Sequence, residues 1–289
     1  MRILHHPHPV LIDRIAKSLV WIFCMAALLP FLLLVWKVIG QGWAAFNPDL
    51  IMQPSPQRTT DVLLTSMGSH SLSKGILNGI YGTMLIISIA IVPAVLLGLL
   101  TGIYISDNRN GRFAWMVRQA IYLLHGTPAI LIGLAVYWWM VRPANHFSAL
   151  AGGLSLVIIL LPTLTEATVR ILGKLPNGLK ESGYALGGSY FDVTCQVVIP
   201  AAGRRLAATF LLLITRALGK TSPFIVTAAG IDRMDWDMTE PVNTVTVLIW
   251  ELFNNPAYVP LMWSALLFCL LIIFILHWIT HLIYPPYGK

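Results

Sequence analysis

A series of six long apolar runs, separated by short polar segments, most constrains what this chain can fold into. Each run reaches the roughly 17 to 25 residues that an α-helix needs to cross the hydrocarbon core of a bilayer. Because unpaired backbone groups are costly in lipid, such runs fold as helices. The runs extend over about Leu19–Trp36, Ile76–Ile105, Gln119–Val141, Leu150–Leu172, Leu206–Gly230 and Pro260–Tyr284. The sequence therefore predicts an all-α polytopic membrane protein, with about six transmembrane helices in a single transmembrane domain over residues 1–289.

Composition excludes several other classes of protein. Hydrophobic residues make up 57% of the chain and charged residues only 11%, whereas a soluble globular domain typically has about 25% charged residues. The net charge of +7 is not gathered in one basic patch, so nucleic-acid binding is not indicated. The cysteines are far apart and the N-terminal histidines alternate with prolines, so neither a disulfide framework nor a metal site is predicted. These residues are Cys24, Cys195, Cys269, His5, His6 and His8.

The distribution of lysine and arginine predicts the orientation in the membrane, because cytoplasmic loops carry an excess of both. With the N-terminus inside, the cytoplasmic side holds Arg2, Arg14, Lys17, Arg109, Arg112, Arg118, Arg170, Lys174, Lys180, Arg204, Arg205 and Lys289. The outer side holds only Lys37, Arg58, Lys74, Arg142 and Arg233. We therefore expect both termini, and the polar segment between the fourth and fifth runs, to lie in the cytoplasm.

That polar segment, residues 173–205, is called the insert below. Pro176-Asn177-Gly178 is a cluster of helix breakers, Leu179–Leu186 can form a short helix, and Gly187-Gly188 ends it. Ser189 and Asp192 have the capping-box spacing for a second short helix, and Pro200 is expected to stop that helix. The insert is thus predicted to form two short helices at a cytoplasmic corner.

Two cations within the fifth run indicate a polar pathway. Counted along a helix from Arg205, Arg216 and Lys220 lie about 16 and about 22 Å into a core about 30 Å thick. Their spacing of four places them on one helix face, where they repel each other unless an anion joins them. We therefore predict a pathway for an anionic substrate, with hydroxyl donors nearby. The candidate hydroxyls are those of Thr215, Thr221 and Ser222. The alternative is structural pairing with Glu166 or with a carboxylate of a partner subunit.

Two features of the third and fourth runs leave alternatives open. Glu166 and Arg170 are four residues apart, which is consistent with either a helix-end ion pair or a gate. His125-Gly126-Thr127-Pro128 could break a helix beside the pathway, although the interpretation we favour is a buried, neutral histidine with its hydrogen bonds satisfied.

No enzyme motif is present in the sequence. A Walker A loop, HExxH and GxGxxG are absent, and no serine or histidine has the context of a nucleophile elbow. We therefore predict a translocation subunit that has no catalytic residues, binds no cofactor itself and depends on a partner or a gradient for energy.

The insert and the fifth run resemble the permeases of binding-protein-dependent ABC importers. Glu181-Ser182-Gly183, then Gly187, then Val197, Ile199 and Pro200 reproduce the spacing of their E-A-A signature. Arg216-Ala-Leu-Gly-Lys-Thr-Ser-Pro223 looks like the R-A-L-G-E-T-A-P run of the phosphate importer permeases, which Tyr184-Ala-Leu-Gly187 also fits. Two departures are Ser182-Gly183 in place of two alanines and Lys220 where that subgroup usually has a glutamate.

This resemblance implies an inner-membrane permease subunit that imports inorganic phosphate. Its implied partners are a homologous permease subunit, two ATPase subunits that would hold ATP and magnesium, and an external phosphate-binding protein. Contacts to an ATPase subunit would come from Glu181, Ser182, Gly183, Ala185, Gly187 and Pro200. Lys220 keeps a permease for sulfate, molybdate or tungstate as an alternative. A gradient-driven anion carrier is a second alternative, which predicts inverted repeats.

Overall fold

A computed structural model describes residues 9–55, 75–230 and 237–283, and within these ranges the chain is helical with no β-strand. The N-terminal histidines, the basic residues at 58, 74, 233 and 289, and Arg2 lie outside the described residues. The α-helices are α1 Pro9–Ala44, α2 Asp49–Met52, α3 Leu77–Asp107, α4 Arg112–Gly126, α5 Ala129–Val136, α6 Arg142–Ala144, α7 Ala149–Leu172, α8 Asn177–Ala185, α9 Tyr190–Asp192, α10 Ile199–Leu218, α11 Ser222–Thr227, α12 Val245–Phe253 and α13 Val259–Ile283. π-Helical turns join α5 to α6 over Tyr137–Val141 and α9 to α10 over Val193–Val198, and a 3₁₀ turn, Pro256–Tyr258, precedes α13.

Five helices of the described chain are long and apolar enough to cross a membrane, and a sixth crossing requires two bent segments to be joined. The five cover Ala16–Ala44, Leu77–Asp107, Ala149–Leu172, Tyr190–Leu218 and Pro256–Ile283. The bent pair is Arg112–Gly126 with Ala129–Ala144, whose axes differ in direction by 103°. The predicted all-α architecture of about six spans is confirmed, and the helix break considered for residues 125–128 within the third run, Gln119–Val141, is present.

Local sequence explains why the third span is broken. Pro128 has no backbone N–H, and its ring disfavours helical geometry at the residue before it. Thr127 is accordingly extended, with φ −77° and ψ 127°. The chain therefore leaves α4 at Gly126 and starts α5 in a new direction at Ala129.

The fifth predicted span is broken as well, since α10 ends at Leu218 and the short α11 begins only at Ser222. Gly219 follows the last helical residue, and Pro223 stands in the first turn of α11. The helices that follow the two breaks, α5 and α11, pack against each other. They approach so closely at Gly133 that a Cβ there would lie 2.8 Å from Pro223 Cα.

The centre of the fold is the long contact between α3 and α7. Small residues make this contact possible: a Cβ at Gly98 would lie 2.7 Å from Leu164 Cδ2, and one at Gly102 would lie 2.5 Å from Thr168 Cβ. The spacing of four between these glycines places both on the same face of α3, which permits close approach of the two helices. α7 is the most buried of the candidate spans and therefore forms the scaffold on which the other segments are placed.

The insert forms one short helix and then the start of a long one. α8 begins at Asn177, so the breaker cluster leads directly into a helix, and it ends before Gly187, whose φ of +81° is left-handed. The predicted capping box is confirmed: the Ser189 hydroxyl accepts from the Asp192 N–H, and the Asp192 carboxylate accepts from the Ser189 N–H. The predicted stop at Pro200 is wrong. Pro200 lies in the first turn of α10, directly after a π-helical turn, and helical backbone continues from Tyr190 to Leu218.

Candidate functional site

The two helix breaks surround a cleft of about 350 Å³, which we call the Arg216 cleft. The end of α4 and the start of α5 form one wall, the middle of α7 forms another, and the end of α10 with the following turn forms the third. Its polar lining residues are His125, Thr127, Thr163, Arg216 and Lys220. Its apolar lining includes Leu124, Ile132, Leu160 and Leu213.

Arg216 and Lys220 both line this cleft, but they do not share a helix face. Arg216 lies in the last turn of α10. The chain is therefore helical from Arg205 to Arg216, as the predicted depth of Arg216 assumes. Lys220 lies beyond the helix end, where its N–H donates to Ala217 O over 3.1 Å and its carbonyl accepts from Thr246 Oγ1 over 2.8 Å. The predicted common helix face is therefore wrong, because the helix ends between the two residues.

Neither cation forms an ion pair with a carboxylate in the described parts of the chain. The Arg216 side chain is exposed and Lys220 is half-buried. The predicted alternative of pairing with Glu166 is therefore not seen within this chain. The cleft offers two positive charges to whatever enters it, and a guanidinium presents a planar fork of donors to an oxyanion.

The predicted hydroxyl donors are not those found in the cleft. Thr221 and Ser222 are half-buried at the second break but do not line it, and Thr215 is buried with its hydroxyl donating to Leu211 O over 2.9 Å. The hydroxyl residues of the lining are Thr127 and Thr163. Sequence reasoning missed Thr163 because it carries no motif; its neighbour Pro162, inside α7, was the one local signal.

His125 is paired with Glu166 across α4 and α7. His125 Nδ1 lies 3.3 Å from Glu166 Oε1, with side chains 48% and 27% exposed. The favoured interpretation of His125 as a buried, satisfied histidine is wrong, because the break after Gly126 leaves the ring at the cleft wall. The predicted ion pair between Glu166 and Arg170 is not formed either, since Glu166 turns toward α4 instead.

Five of the six predicted ATPase-contact residues are exposed on the insert. Glu181, Ser182, Ala185, Gly187 and Pro200 are exposed. Two large apolar side chains of the insert are also exposed, Leu186 at 89% and Phe191 at 72%. Large apolar groups that project from a polar segment are typical of an interaction surface.

Gly183, the remaining contact residue predicted by resemblance, packs inside the insert. A Cβ there would lie 3.0 Å from Val193 Cγ2, so this position favours glycine to keep α8 close to the following π-helical turn. The insert is also tied to the membrane helices at Asp107, the last residue of α3. The Asp107 carboxylate forms an ion pair with Lys180 and accepts a hydrogen bond from the Tyr190 hydroxyl over 2.7 Å.

Comparison with known proteins agrees with this architecture. Residues 94–288, more than half of the chain, match the family model described as "Binding-protein-dependent transport system inner membrane component". This chain belongs to that family. The match includes both breaks, the Arg216 cleft and the insert. It also places the chain among permease subunits, which work with an ATPase and a binding protein.

Relatives of similar length carry a more specific name. "Phosphate transport system permease protein PstA" of Haemophilus influenzae is 30% identical over 76% of this chain and 78% of its own length. "Phosphate transport system permease protein PstA 1" of Mycobacterium tuberculosis H37Rv is 27% identical over 90% of this chain and 83% of its own. "Probable phosphate transport system permease protein PstA" of Methanocaldococcus jannaschii is 27% identical over 90% of this chain and 89% of its own.

A solved structure confirms the fold. The MetNI methionine ABC transporter in an inward-facing conformation superimposes with a TM-score of 0.60, over 79% of this chain and 100% of the other. The two sequences are 13% identical, so this likeness concerns the ABC importer permease fold alone.

Proposed function

We propose that this chain is the permease subunit through which an ABC importer moves inorganic phosphate across the cytoplasmic membrane. The observation that carries the proposal is the Arg216 cleft, where two cations without an acidic partner in the described chain meet between two broken helices. Charges within a membrane segment are costly unless they face a wet pathway or a partner ion. An oxyanion supplies that partner, and the relatives named for phosphate transport make phosphate the first candidate.

The first turn of α5 adds to the positive potential of the cleft. Ala129 lines the cleft, and the backbone N–H groups of Ala129 and Ile130 have no acceptor among the described backbone groups. Free N–H groups at a helix N-terminus favour an anion. Arg216 and Lys220 line the cleft from α10 and the turn that follows it, so an oxyanion in the cleft can be contacted from more than one wall.

Energy and assembly come from other chains in this proposal. One of two ATPase subunits, which hold ATP and magnesium, docks on the exposed surface of the insert. A homologous permease completes the pathway and carries the second ATPase subunit, and an external binding protein delivers phosphate. The proposed orientation has both termini and the insert in the cytoplasm, which follows from the excess of basic residues on that side. Hydrolysis would change the position of the insert, which is linked to α3 through Asp107.

A transport assay with matched arginine variants tests the role of the cleft. Phosphate uptake is measured in proteoliposomes that contain the whole complex, with subunit assembly measured in parallel. Arg216→Ala should lower uptake at least tenfold, and Arg216→Lys should rescue it only in part because an ammonium lacks the planar fork. Arg112→Ala is the control, since this exposed arginine at the start of α4 lies outside both the cleft and the insert. Normal uptake by assembled Arg216→Ala would refute the pathway role.

One observation favours a second candidate, an importer of sulfate, molybdate or tungstate. Lys220 lines the cleft at the position where the phosphate subgroup resembled by this chain usually has a glutamate. A carboxylate can accept a hydrogen bond from the protonated oxygen of hydrogen phosphate, whereas an ammonium group can only donate hydrogen bonds. Competition by each oxyanion against labelled phosphate in the same proteoliposomes separates the candidates: phosphate should compete best.

A further inference from the structure

A second, smaller cleft of about 200 Å³ lies between α4 and α7. Its polar lining consists of Arg118 and Tyr122 from α4 and of Thr165, Glu166 and Arg170 from α7. We call it the Arg170 cleft. At roughly 30 Å³ per water molecule, it has room for a tetrahedral oxyanion with several waters.

The two clefts follow one another along the same pair of helices. On α4, the Arg216 cleft is lined by Leu124 and His125, and the Arg170 cleft by residues 118, 121 and 122. On α7, the Arg216 cleft is lined by residues 159, 160, 162 and 163, and the Arg170 cleft by residues 165, 166, 169 and 170. The contact between His125 and Glu166 lies where the two clefts meet. Because α7 ends at Leu172, the Arg170 cleft lies between the Arg216 cleft and the insert.

Thr165, which lines this cleft, has a buried polar atom without a hydrogen-bond partner among the described residues. Its side chain is 1% exposed, and Oγ1 has no hydrogen-bond partner in the described part of the protein. The neighbouring Thr168 differs, because its hydroxyl donates to Leu164 O over 2.9 Å. A buried hydroxyl without a partner is costly, so Thr165 is explained best if something that enters the cleft completes its hydrogen bonding.

The charges of the cleft indicate which ligand that is. Arg118 is half-buried and Arg170 exposed, and neither forms an ion pair with a carboxylate within the described ranges. Glu166 is the one carboxylate of the lining, and His125 holds one of its oxygens. Two guanidinium groups and a free hydroxyl are the donors that an oxyanion requires.

We propose that the Arg170 cleft is a second oxyanion site, occupied after the anion has passed the pair of His125 and Glu166 on its way toward the insert. This proposal rests on the proposed function, because the anion reaches the second site from the Arg216 cleft. The competing explanation is that Arg118 and Arg170 only orient the helices in the membrane.

Thiol protection in the assembled complex tests the second site directly. The three native cysteines, Cys24, Cys195 and Cys269, are replaced by serine, and a single thiol is introduced as Val169→Cys in the Arg170 cleft or as Thr163→Cys in the Arg216 cleft. Maleimide labelling in nanodiscs is compared between inorganic phosphate and chloride at equal ionic strength. Phosphate should slow labelling of each thiol several-fold.

Charge-removing variants assign each protection to its own cleft. The pair Arg118→Gln with Arg170→Gln should abolish protection of the Val169→Cys thiol and leave that of the Thr163→Cys thiol, while Arg216→Ala should abolish protection of the latter. Phosphate protection at position 163 alone would overturn the second site and leave the proposed function standing. Loss of protection at both positions would overturn the proposed function too.

Thr165→Val separates ligand binding from folding. Valine has nearly the shape of threonine without the hydroxyl, so the melting temperature should stay the same or rise, while phosphate protection of the Val169→Cys thiol falls several-fold. Thr168→Val is the matched control, since that hydroxyl is bonded within its own helix, and it should leave protection unchanged. Unchanged protection in Thr165→Val would show that this hydroxyl does not contribute to anion binding.

Discussion

At the residue scale, Lys220 has the clearest chemical consequence, because it places a second fixed positive charge beside Arg216 in a cleft within the membrane region. A glutamate at this position would add a carboxylate to the cleft, which can accept a hydrogen bond from the protonated oxygen of hydrogen phosphate. The lysine instead attracts any oxyanion, whether or not it carries a proton. The charge at position 220 should therefore determine preference among oxyanions more than it determines whether transport occurs.

Lys220→Glu is expected to shift uptake toward phosphate relative to sulfate and molybdate, with a lower rate because the net charge of the cleft falls by two. Lys220→Gln is the control, because it removes the ammonium without adding an acceptor for the proton. The measurement is the ratio of labelled phosphate to labelled sulfate taken up by proteoliposomes that contain the assembled complex. An unchanged ratio in both variants would show that Lys220 takes no part in selecting the anion.

Residue-level prediction from sequence succeeded where charge alone was decisive and failed where partners depend on tertiary placement. Charged residues are costly in a membrane segment, so Arg216 and Lys220 could be selected from the sequence, and the structure places both in one cleft. The pair of His125 with Glu166 could not be predicted, since it depends on how α4 packs against α7. The i,i+4 rule favoured Arg170 for Glu166, and tertiary packing overrode that local preference.

At the element scale, the breaks after Gly126 and after Leu218 create the cleft. An apolar run predicts a helix that spans, but hydrophobicity cannot distinguish a continuous span from two segments bent by 103°. Pro128 and Pro223 were the local signals for the breaks, and neighbouring helices are needed to stabilise such breaks in a membrane protein. The packing of α5 on α11 provides that support.

The close approach of α5 and α11 predicts a strong effect at one glycine. Gly133→Ala should lower the free energy of unfolding by about 1–3 kcal/mol, because its Cβ would lie 2.8 Å from the backbone of Pro223. Gly126→Ala is the matched control, since a Cβ there has no neighbour within 4 Å. Thermal unfolding of the purified permease in detergent compares the two variants, and equal melting temperatures would argue against the packing described here.

The insert predicts an assembly defect at Gly187. A Cβ at Gly187 would have no neighbour within 4 Å in the described part of the chain, and the residue is exposed, so we expect the side chain of Gly187→Trp to project into the space assigned to an ATPase subunit. We expect this variant to fold, to lose transport, and to lose the ATPase during purification of the complex. Co-purification at the wild-type ratio together with normal transport would contradict the docking role.

Backbone strain needs its own control at this position, because the φ of +81° is left-handed and costs a non-glycine residue about 1–2 kcal/mol. Asparagine tolerates this conformation better than most residues. Gly187→Asn should therefore retain most of the ATPase, and a loss equal to that of Gly187→Trp would assign the defect to the backbone instead of to steric exclusion.

At the scale of the whole molecule, the sequence was sufficient for the fold class and the family, and insufficient for the pathway. Six apolar runs and the signature on the insert predicted an ABC importer permease, and the family match and the fold of MetNI confirm it. The course of the chain from Tyr190 to Leu218 was not predicted, because proline in the first helical turn after a π-helical turn does not stop a helix. This continuous helical segment connects the insert directly to Arg216.

The most direct test is ATP-dependent uptake of labelled phosphate by the whole complex. Proteoliposomes that contain this chain, its partner permease and the ATPase are supplied with the binding protein outside and with ATP or a non-hydrolysable analogue inside. We predict that uptake of labelled phosphate requires ATP hydrolysis. Unlabelled phosphate should inhibit this uptake more strongly than sulfate or molybdate does. Uptake that proceeds equally well with the analogue, driven by an ion gradient alone, would contradict the proposal.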